Sequence, residues 1–488
     1  MAKNTAKAPR ATSNRSTTPV SESFKDYISG QWADRVDATP PAREQAAFAA
    51  SRRAALSALH PGKRLIVPAG SAKVRSNDTD YAYRAHSAFA HLTGWGSDAV
   101  AGSVLVLEAS GDATLYFREA AGRDSDEFYA NPEIGEFWTG PRPSLAHVAA
   151  DLGLATANLD AFAAVLDAVD ANTLIVRDGD RDTTDQVDGR RLLAADSESL
   201  DNDGDTELAR DLSELRLVKD SFEIAEMRAA VDATKLGFDD VIADLPQIIA
   251  HERGERLVEG TFNRRARAEG NTVGYDTIAA SGPHACILHW TRNDGPVVPG
   301  DLILLDAGIE LDSLYTADIT RTLPISGTFT DIQATVYQAV LDAADAAFAI
   351  VKPGIRFREI HAEAMRVIAE RTAEWGLLPV SAAESLEPEH QYHRRYMVHG
   401  TSHHLGLDVH DCAQARRDLY LDGVLEAGMV FTIEPGLYFQ PDDLTVPSEF
   451  RGIGVRIEDN ILVTESGAEN LSVGIPRTVA DVEAWLGR

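Results

Sequence analysis

Acidic and histidine side chains set within apolar, strand-like runs are the residues of this sequence best able to do chemistry. A buried carboxylate costs several kcal/mol unless it is paired or bound to a metal. In Asp301-Leu-Ile-Leu-Leu-Asp306-Ala-Gly308, a four-residue apolar run ends in an acid and a small-residue turn, which places Asp306 at the inner end of a buried strand. In Thr316-Ala-Asp318-Ile-Thr320-Arg-Thr322, alternation puts Asp318, Thr320 and Thr322 on one face. With turn residues Asp312 and Ser313 between them, a hairpin centred near residue 312 sets Asp306 directly opposite Asp318. Two carboxylates meeting there repel, and a divalent cation converts the repulsion into binding. Taken singly, each acid also fits a polar strand end.

The densest group is His399-Gly-Thr-Ser-His403-His404-Leu-Gly-Leu-Asp408-Val-His410-Asp411, with four of the 14 histidines inside twelve positions. The i, i+4 spacing of His399 and His403 suits two metal ligands on a helix, yet no Glu follows His399, so the helical zinc motif with its built-in base is absent. Gly400 and Gly406 favour irregular backbone or strand instead. Two further acids end apolar runs: Glu434, fixed by the turn at Pro435 and Gly436, and Glu458 in Ile453-Gly-Val-Arg456-Ile-Glu458. Each, taken alone, fits a salt bridge as well as a ligand.

The 488 residues have room for two or three domains at roughly 100 to 200 residues each. A composition of 44% hydrophobic and 25% charged residues is that of a soluble globular protein. The formal charge of -30 repels nucleic-acid phosphates and anionic membranes, so neither is an expected partner. Two cysteines, Cys286 and Cys412, cannot supply a disulfide framework, and a reducing, cytoplasmic setting is expected. No run approaches the ~18 apolar residues of a membrane span.

Residues 1–30 read as a disordered tail whose basic segment lacks the amphipathic face of a transit peptide. Residues 31–207 read as an α/β domain, with a helix from Ala42 to His60, strands at Arg64 to Pro68, Val104 to Glu108, Ala113 to Phe117 and Thr173 to Val176, and a helical stretch from Leu152 to Val169. It ends in a solvated acidic linker, Asp196 to Glu207, with six acids in twelve residues. A calcium loop starting at Asp201 fails, because Thr206 stands where the turn glycine belongs and Leu212 where a bidentate Glu belongs. A helical pattern from Leu208 to Leu236, with Ser221 as a candidate fresh N-cap, opens the domain 208–488.

Residues 215 to 470 resemble the pita-bread metallopeptidases, and the His399-to-Asp411 segment fits the signature of their proline-specific branch, aminopeptidase P with prolidase next closest. The segment Arg75 to Gly94 is similar to the N-terminal domain of that branch, which methionine aminopeptidases lack. The resemblance implies an α+β chain: a C-terminal pita-bread catalytic domain behind a smaller α/β domain. It makes Asp306, Asp318, His403, Glu434 and Glu458 the ligands of two divalent metal ions. An oxygen-rich shell suits Mn²⁺, with Co²⁺ or Zn²⁺ as alternatives. The implied reaction is release of the N-terminal residue from Xaa-Pro peptides by a hydroxide bridging the two ions. Prolidase activity is the alternative, and a catalytically silent or metal-free relative a further one. By the same resemblance Glu434 exchanges a proton, His289 contacts substrate and takes part in proton transfer, His410 stabilises the oxyanion, His399 lies near the residue after the scissile bond, and Tyr438 and Arg456 support the carboxylates. A homo-oligomer, dimer or tetramer, is the implied assembly. The Asp306-to-Asp318 spacing is one residue longer than the family's usual one, an insertion expected at the hairpin tip.

Overall fold

The structure is a computed structural model that describes residues 18–33, 38–77, 79–195 and 202–487. It divides into two compact units, with the boundary between Leu208 and Ala209.

The first unit opens with helix α1 (Glu22–Ser29), so the disordered tail expected through residue 30 is corrected over this stretch; residues 1–17 lie outside the described residues. Tertiary contacts account for the helix: Phe24 packs edge-on against Tyr129 at 5.2 Å and Lys25 pairs with Asp126 at 2.9 Å. Helix α2 (Gln45–Leu59) precedes a five-stranded mixed sheet of β1 (Arg64–Pro68), β2 (Val104–Leu107), β3 (Ala113–Phe117), β4 (Ala155–Asn158) and β5 (Thr173–Ile175). Its order is β4-β3-β2-β1-β5; β1 pairs antiparallel with β2 and parallel with β5. The helix expected over Leu152 to Val169 is corrected to strand β4 followed by a short helix, Phe162–Asp167. Gly153, at φ 58°, ends the preceding helix in a left-handed cap, and the Asn158 side chain caps the next turn.

The acidic linker is also corrected. Helix α3 (Asp203–Leu215) begins inside it, and Asp205 is buried, accepting from the Ile175 amide at 2.9 Å, Arg191 Nη2 at 2.7 Å and Arg177 Nη1 at 3.0 Å. Residues 196–201 lie outside the described residues.

In the second unit the pattern from Leu208 to Leu236 falls into two helices, with α4 (Ser221–Ile249) following α3. The N-cap of α4 is Asp220 rather than Ser221: its carboxylate accepts from the Phe222 and Glu223 amides, and Glu223 returns a bond to the Asp220 amide. Helix α5 (Gly254–Glu269) packs on α4 through Phe238 and Phe262, ring centroids 6.0 Å apart. Strands β6 (Ile278–Ser281), β7 (Leu302–Ala307) and β8 (Ile319–Pro324) form one antiparallel sheet with β7 central. Helices α6 (Asp331–Ile350) and α7 (Phe357–Glu374) lead to a second set of strands. These are β9 (Val430–Ile433), the pair β10 (Gly436–Tyr438) and β11 (Gly454–Arg456), and β12 (Asp459–Thr464), which pairs with β9. A bridge between Thr320 and Glu458 joins the two sets.

The β7–β8 register corrects the hairpin. Asp306 opposes Thr320, so the centre is Ser313 and Asp318 lies two residues along from the direct partner. Ile309 and Glu310 leave the β7 ladder to pair with Val273 and Thr272, and the buried Leu314 turns through φ 72° at the tip. Because the slip is even, Asp318 still shares a face with Asp306.

Candidate active site

Asp306 enters the site from the end of β7 and Asp318 from the residue before β8. Glu434 stands in the turn between β9 and β10, and Glu458 between β11 and β12. His403 lies on irregular backbone pinned to β9, where its amide meets Thr432 Oγ1 at 3.2 Å and its carbonyl accepts from the Thr432 amide at 2.9 Å. The five converge. His403 Nε2 lies 3.2 Å from Asp318 Oδ2 and 3.4 Å from Glu434 Oε1. Asp318, His403 and Glu458 each offer a donor atom within 4.8 Å of the others. His403 Nδ1 donates to the His404 carbonyl at 3.2 Å, which aims Nε2 at the carboxylates.

Behind these groups runs a chain of hydrogen bonds. Arg456 binds Asp306 Oδ2 through Nη2, Thr320 Oγ1 through Nε at 3.1 Å and the Tyr438 hydroxyl through Nη1 at 3.1 Å. Thr320 Oγ1 in turn donates to Glu458 Oε2 at 2.7 Å. His399 Nδ1 faces the Gly400 carbonyl at 2.6 Å and so carries the hydrogen, leaving Nε2 to accept from Tyr438 at 2.7 Å. His289, His399, His403, His410, Glu434 and Arg456 line one cavity of 340 Å³. All ten residues expected from the sequence therefore meet in one place.

The electrostatics express the crowding. Burial and the neighbouring carboxylates push Glu458 well above the ordinary range, the Arg456 guanidinium opposing. Burial raises Asp306 as well, Arg456 opposing and Asp318 adding to the rise. Burial carries Glu434 to about 7, the His403 charge opposing and Asp318 reinforcing. Burial pulls His403 down, but the Asp318 and Glu434 carboxylates outweigh it and hold the imidazole at about 9. Burial and Arg456 drive His399 down to about 3, so it is neutral. Four carboxylates facing one imidazole and one guanidinium cannot all ionise unaided. Oxygen-rich donors with surplus negative charge are the set that divalent cations require.

Tyr275 belongs to this site and was not read from the sequence. Its hydroxyl lies 2.7 Å from Asp306 Oδ1 and 2.5 Å from Asp318 Oδ1, between the two aspartates. No spacing announces it, since it sits in a short polar segment just before β6.

Residues 225–465 match the model of metallopeptidase family M24, and residues 48–175 that of the aminopeptidase P N-terminal domain. Xaa-Pro aminopeptidase 2 of Streptomyces coelicolor is 52% identical over 464 residues, 94% of each chain. The chain belongs to metallopeptidase family M24. Xaa-Pro aminopeptidase 1 of the same organism is 49% identical, with 96% of this chain and 92% of the relative covered. Among solved structures, aminopeptidase PepP of Pseudomonas aeruginosa superposes with a TM-score of 0.78 at 30% identity, covering 91% of this chain and 98% of that one. Aminopeptidase P from Escherichia coli gives a TM-score of 0.77 at 29% identity, with 91% and 99% covered. The resemblance read from the His399-to-Asp411 segment is borne out. As an M24 member with this N-terminal domain, the chain is a metal-dependent peptidase with the aminopeptidase P fold.

Proposed function

We propose that the protein is an Xaa-Pro aminopeptidase, releasing the N-terminal residue from peptides whose second residue is proline. The observation that carries this reading is the convergence of Asp306, Asp318, His403, Glu434 and Glu458 beside a 340 Å³ cavity, in a chain that also has the aminopeptidase P N-terminal domain. The Streptomyces relatives carry the same activity in their names.

Two divalent ions held by these five side chains supply Lewis acidity toward a scissile carbonyl and lower the pKa of an attacking water, with Mn²⁺ the expected metal. Glu434 faces His403 with one oxygen and His399 with the other, and from the cavity wall it takes the proton of the attacking water and returns it to the leaving amine. His410, held neutral by burial and by the nearby His403, offers an N–H to the developing oxyanion. His289 contacts the substrate from the same lining. Both nitrogens of His399 are engaged, so it shapes the wall beside the residue after the scissile bond. Arg456 and Tyr438 fix Asp306 and His399 in orientation. Buried, unpaired thiols at Cys286 and Cys412 support a cytoplasmic setting. A homo-oligomer is part of the proposal on family grounds.

The test uses metal-stripped protein with an Xaa-Pro-Yaa tripeptide beside the matching Xaa-Pro dipeptide. Added Mn²⁺ is expected to restore tripeptide cleavage. Cleavage of the dipeptide alone would make the protein a prolidase, and silence on both with metal bound would overturn the peptidase reading.

A further inference from the structure

The connection from Ser281 at the end of β6 to Leu302 at the start of β7 carries His289 to the cavity. Beyond a short 3₁₀ turn at Gly282–Cys286 it has no regular structure to hold that histidine in place. A connection this long, without elements of its own, needs other anchors.

Asn293 ties the loop to β6, accepting from the Ala279 amide at 3.0 Å and donating to the Thr277 carbonyl at 2.8 Å, and Gln440 donates to the Cys286 carbonyl at 2.8 Å; the anchor nearest His289 is a carboxylate. Glu255, in the first turn of α5, is fully buried. Its Oε1 accepts from the Ser281 amide at 2.8 Å and from His284 Nδ1 at 2.7 Å. Its Oε2 accepts from the Gly295 amide at 2.7 Å and from the indole Nε1 of Trp290 at 2.9 Å. One side chain thus ties the entry of the loop, Gly295 beyond its midpoint and two ring systems between them. The Glu255 amide adds a bond to the Gly295 carbonyl at 3.1 Å. Gly295 permits the approach, because a Cβ there would lie 2.9 Å from Glu255 Oε2 and 2.7 Å from His284 Cε1. Trp290, the residue after His289, stacks on His284 with ring centroids 3.8 Å apart and an interplanar angle of 24°.

The chemistry of this arrangement is specific to a carboxylate. Both oxygens receive two N–H donors, and an acceptor-only group satisfies all four. Gln in the same place would turn an NH₂ toward two donors and leave N–H groups unpaired.

We propose that Glu255 is a positioning residue that holds His289 at the cavity through this loop. The inference rests on the reading above in which His289 contacts substrate. Glu255→Gln is expected to lower kcat/KM for an Xaa-Pro-Yaa tripeptide on the order of 10²-fold, the scale of a catalytic group displaced by about 1 Å.

The discriminating measurement is a double-mutant cycle with His289→Ala. If Glu255 acts through His289, adding Glu255→Gln to His289→Ala changes kcat/KM by less than about threefold. A residue that merely stabilised the fold would cost the same factor in both backgrounds, and that outcome overturns the proposal. A His289→Ala single variant with unaltered kcat/KM would instead show that the substrate-contact reading of His289 had failed, and the proposal with it. Trp290→Phe removes one of the four donors and leaves the carboxylate in place. Should Glu255→Gln not fold, the same cycle run with Trp290→Phe decides: a loss that vanishes beside His289→Ala supports the proposal, and an additive loss refutes it.

Discussion

The hydroxyl of Tyr275 has one proton and two carboxylates within reach, so it satisfies either Asp306 or Asp318 but not both. Burial and the neighbouring aspartates raise this phenol well above its ordinary range, which keeps the proton on it. Its effect is to fix the angle at which both carboxylates face the other donors. Partners of this kind around metal ligands are typically worth 10 to 100-fold in metal affinity. Tyr275→Phe is accordingly expected to weaken divalent-ion binding by about 10 to 100-fold, measured by calorimetric titration of the metal-stripped protein, with the fold intact by circular dichroism. An unchanged affinity would remove Tyr275 from the site. The candidate ligands were legible in the sequence because Asp306, Glu434 and Glu458 each end an apolar run, strand alternation sets Asp318 on one face with Thr320 and Thr322, and His403 lies in a cluster of four histidines. Tyr275 and Glu255 were not, because their partners are 26 to 43 residues distant along the chain and are brought to them only by the folded backbone.

At the scale of elements, the strands at Arg64–Pro68 and Ala113–Phe117 were read to the residue, since alternation and apolar content leave little choice of face. What escaped were features set by single caps and long-range charges. Gly153 cut a helical pattern into helix and strand, Leu314 moved the hairpin centre by one residue, and an acid-rich segment became the start of α3. The last rests on Asp205: burial alone would raise its carboxyl, yet Arg191, the Ile175 amide and Arg177 outweigh burial and hold it below the ordinary range. A carboxyl depressed in the folded state stabilises the fold fully above its unfolded value of about 3.9, and that stability is lost as pH falls through the folded value. The melting temperature of the parent is therefore expected to drop as pH falls below about 4. In Asp205→Asn the drop is shallower, and the variant is less stable by about 3–5 kcal/mol at neutral pH because two guanidinium groups lose their buried partner. Melting curves at successive pH values check both; parallel pH profiles for the two proteins would count against the pairing.

At the scale of the whole molecule, a chain of net charge -30 gathers four of its carboxylates beside one cavity, an arrangement that positive charge must complete. Without ions, burial and like charge push Glu458 well above the ordinary range, so the metal-free fold meets the strain by keeping that carboxyl protonated. Glu458→Gln mimics the neutral acid, and its side-chain oxygen can still accept from Thr320 Oγ1. Two opposite consequences follow from one substitution. The metal-free variant is expected to melt at or slightly above the metal-free parent. Added Mn²⁺ at about 100 times the dissociation constant is expected to stabilise the parent by about 2.7 kcal/mol through mass action. That corresponds to roughly 5 to 10 °C in a unit of this size. The variant, short of a ligand, gains a small fraction of that shift. Differential scanning calorimetry of both proteins, with and without Mn²⁺, reads all four states. A variant that melts far below the parent without metal, yet still rises by the full amount with it, would show that Glu458 supports the fold and holds no ion.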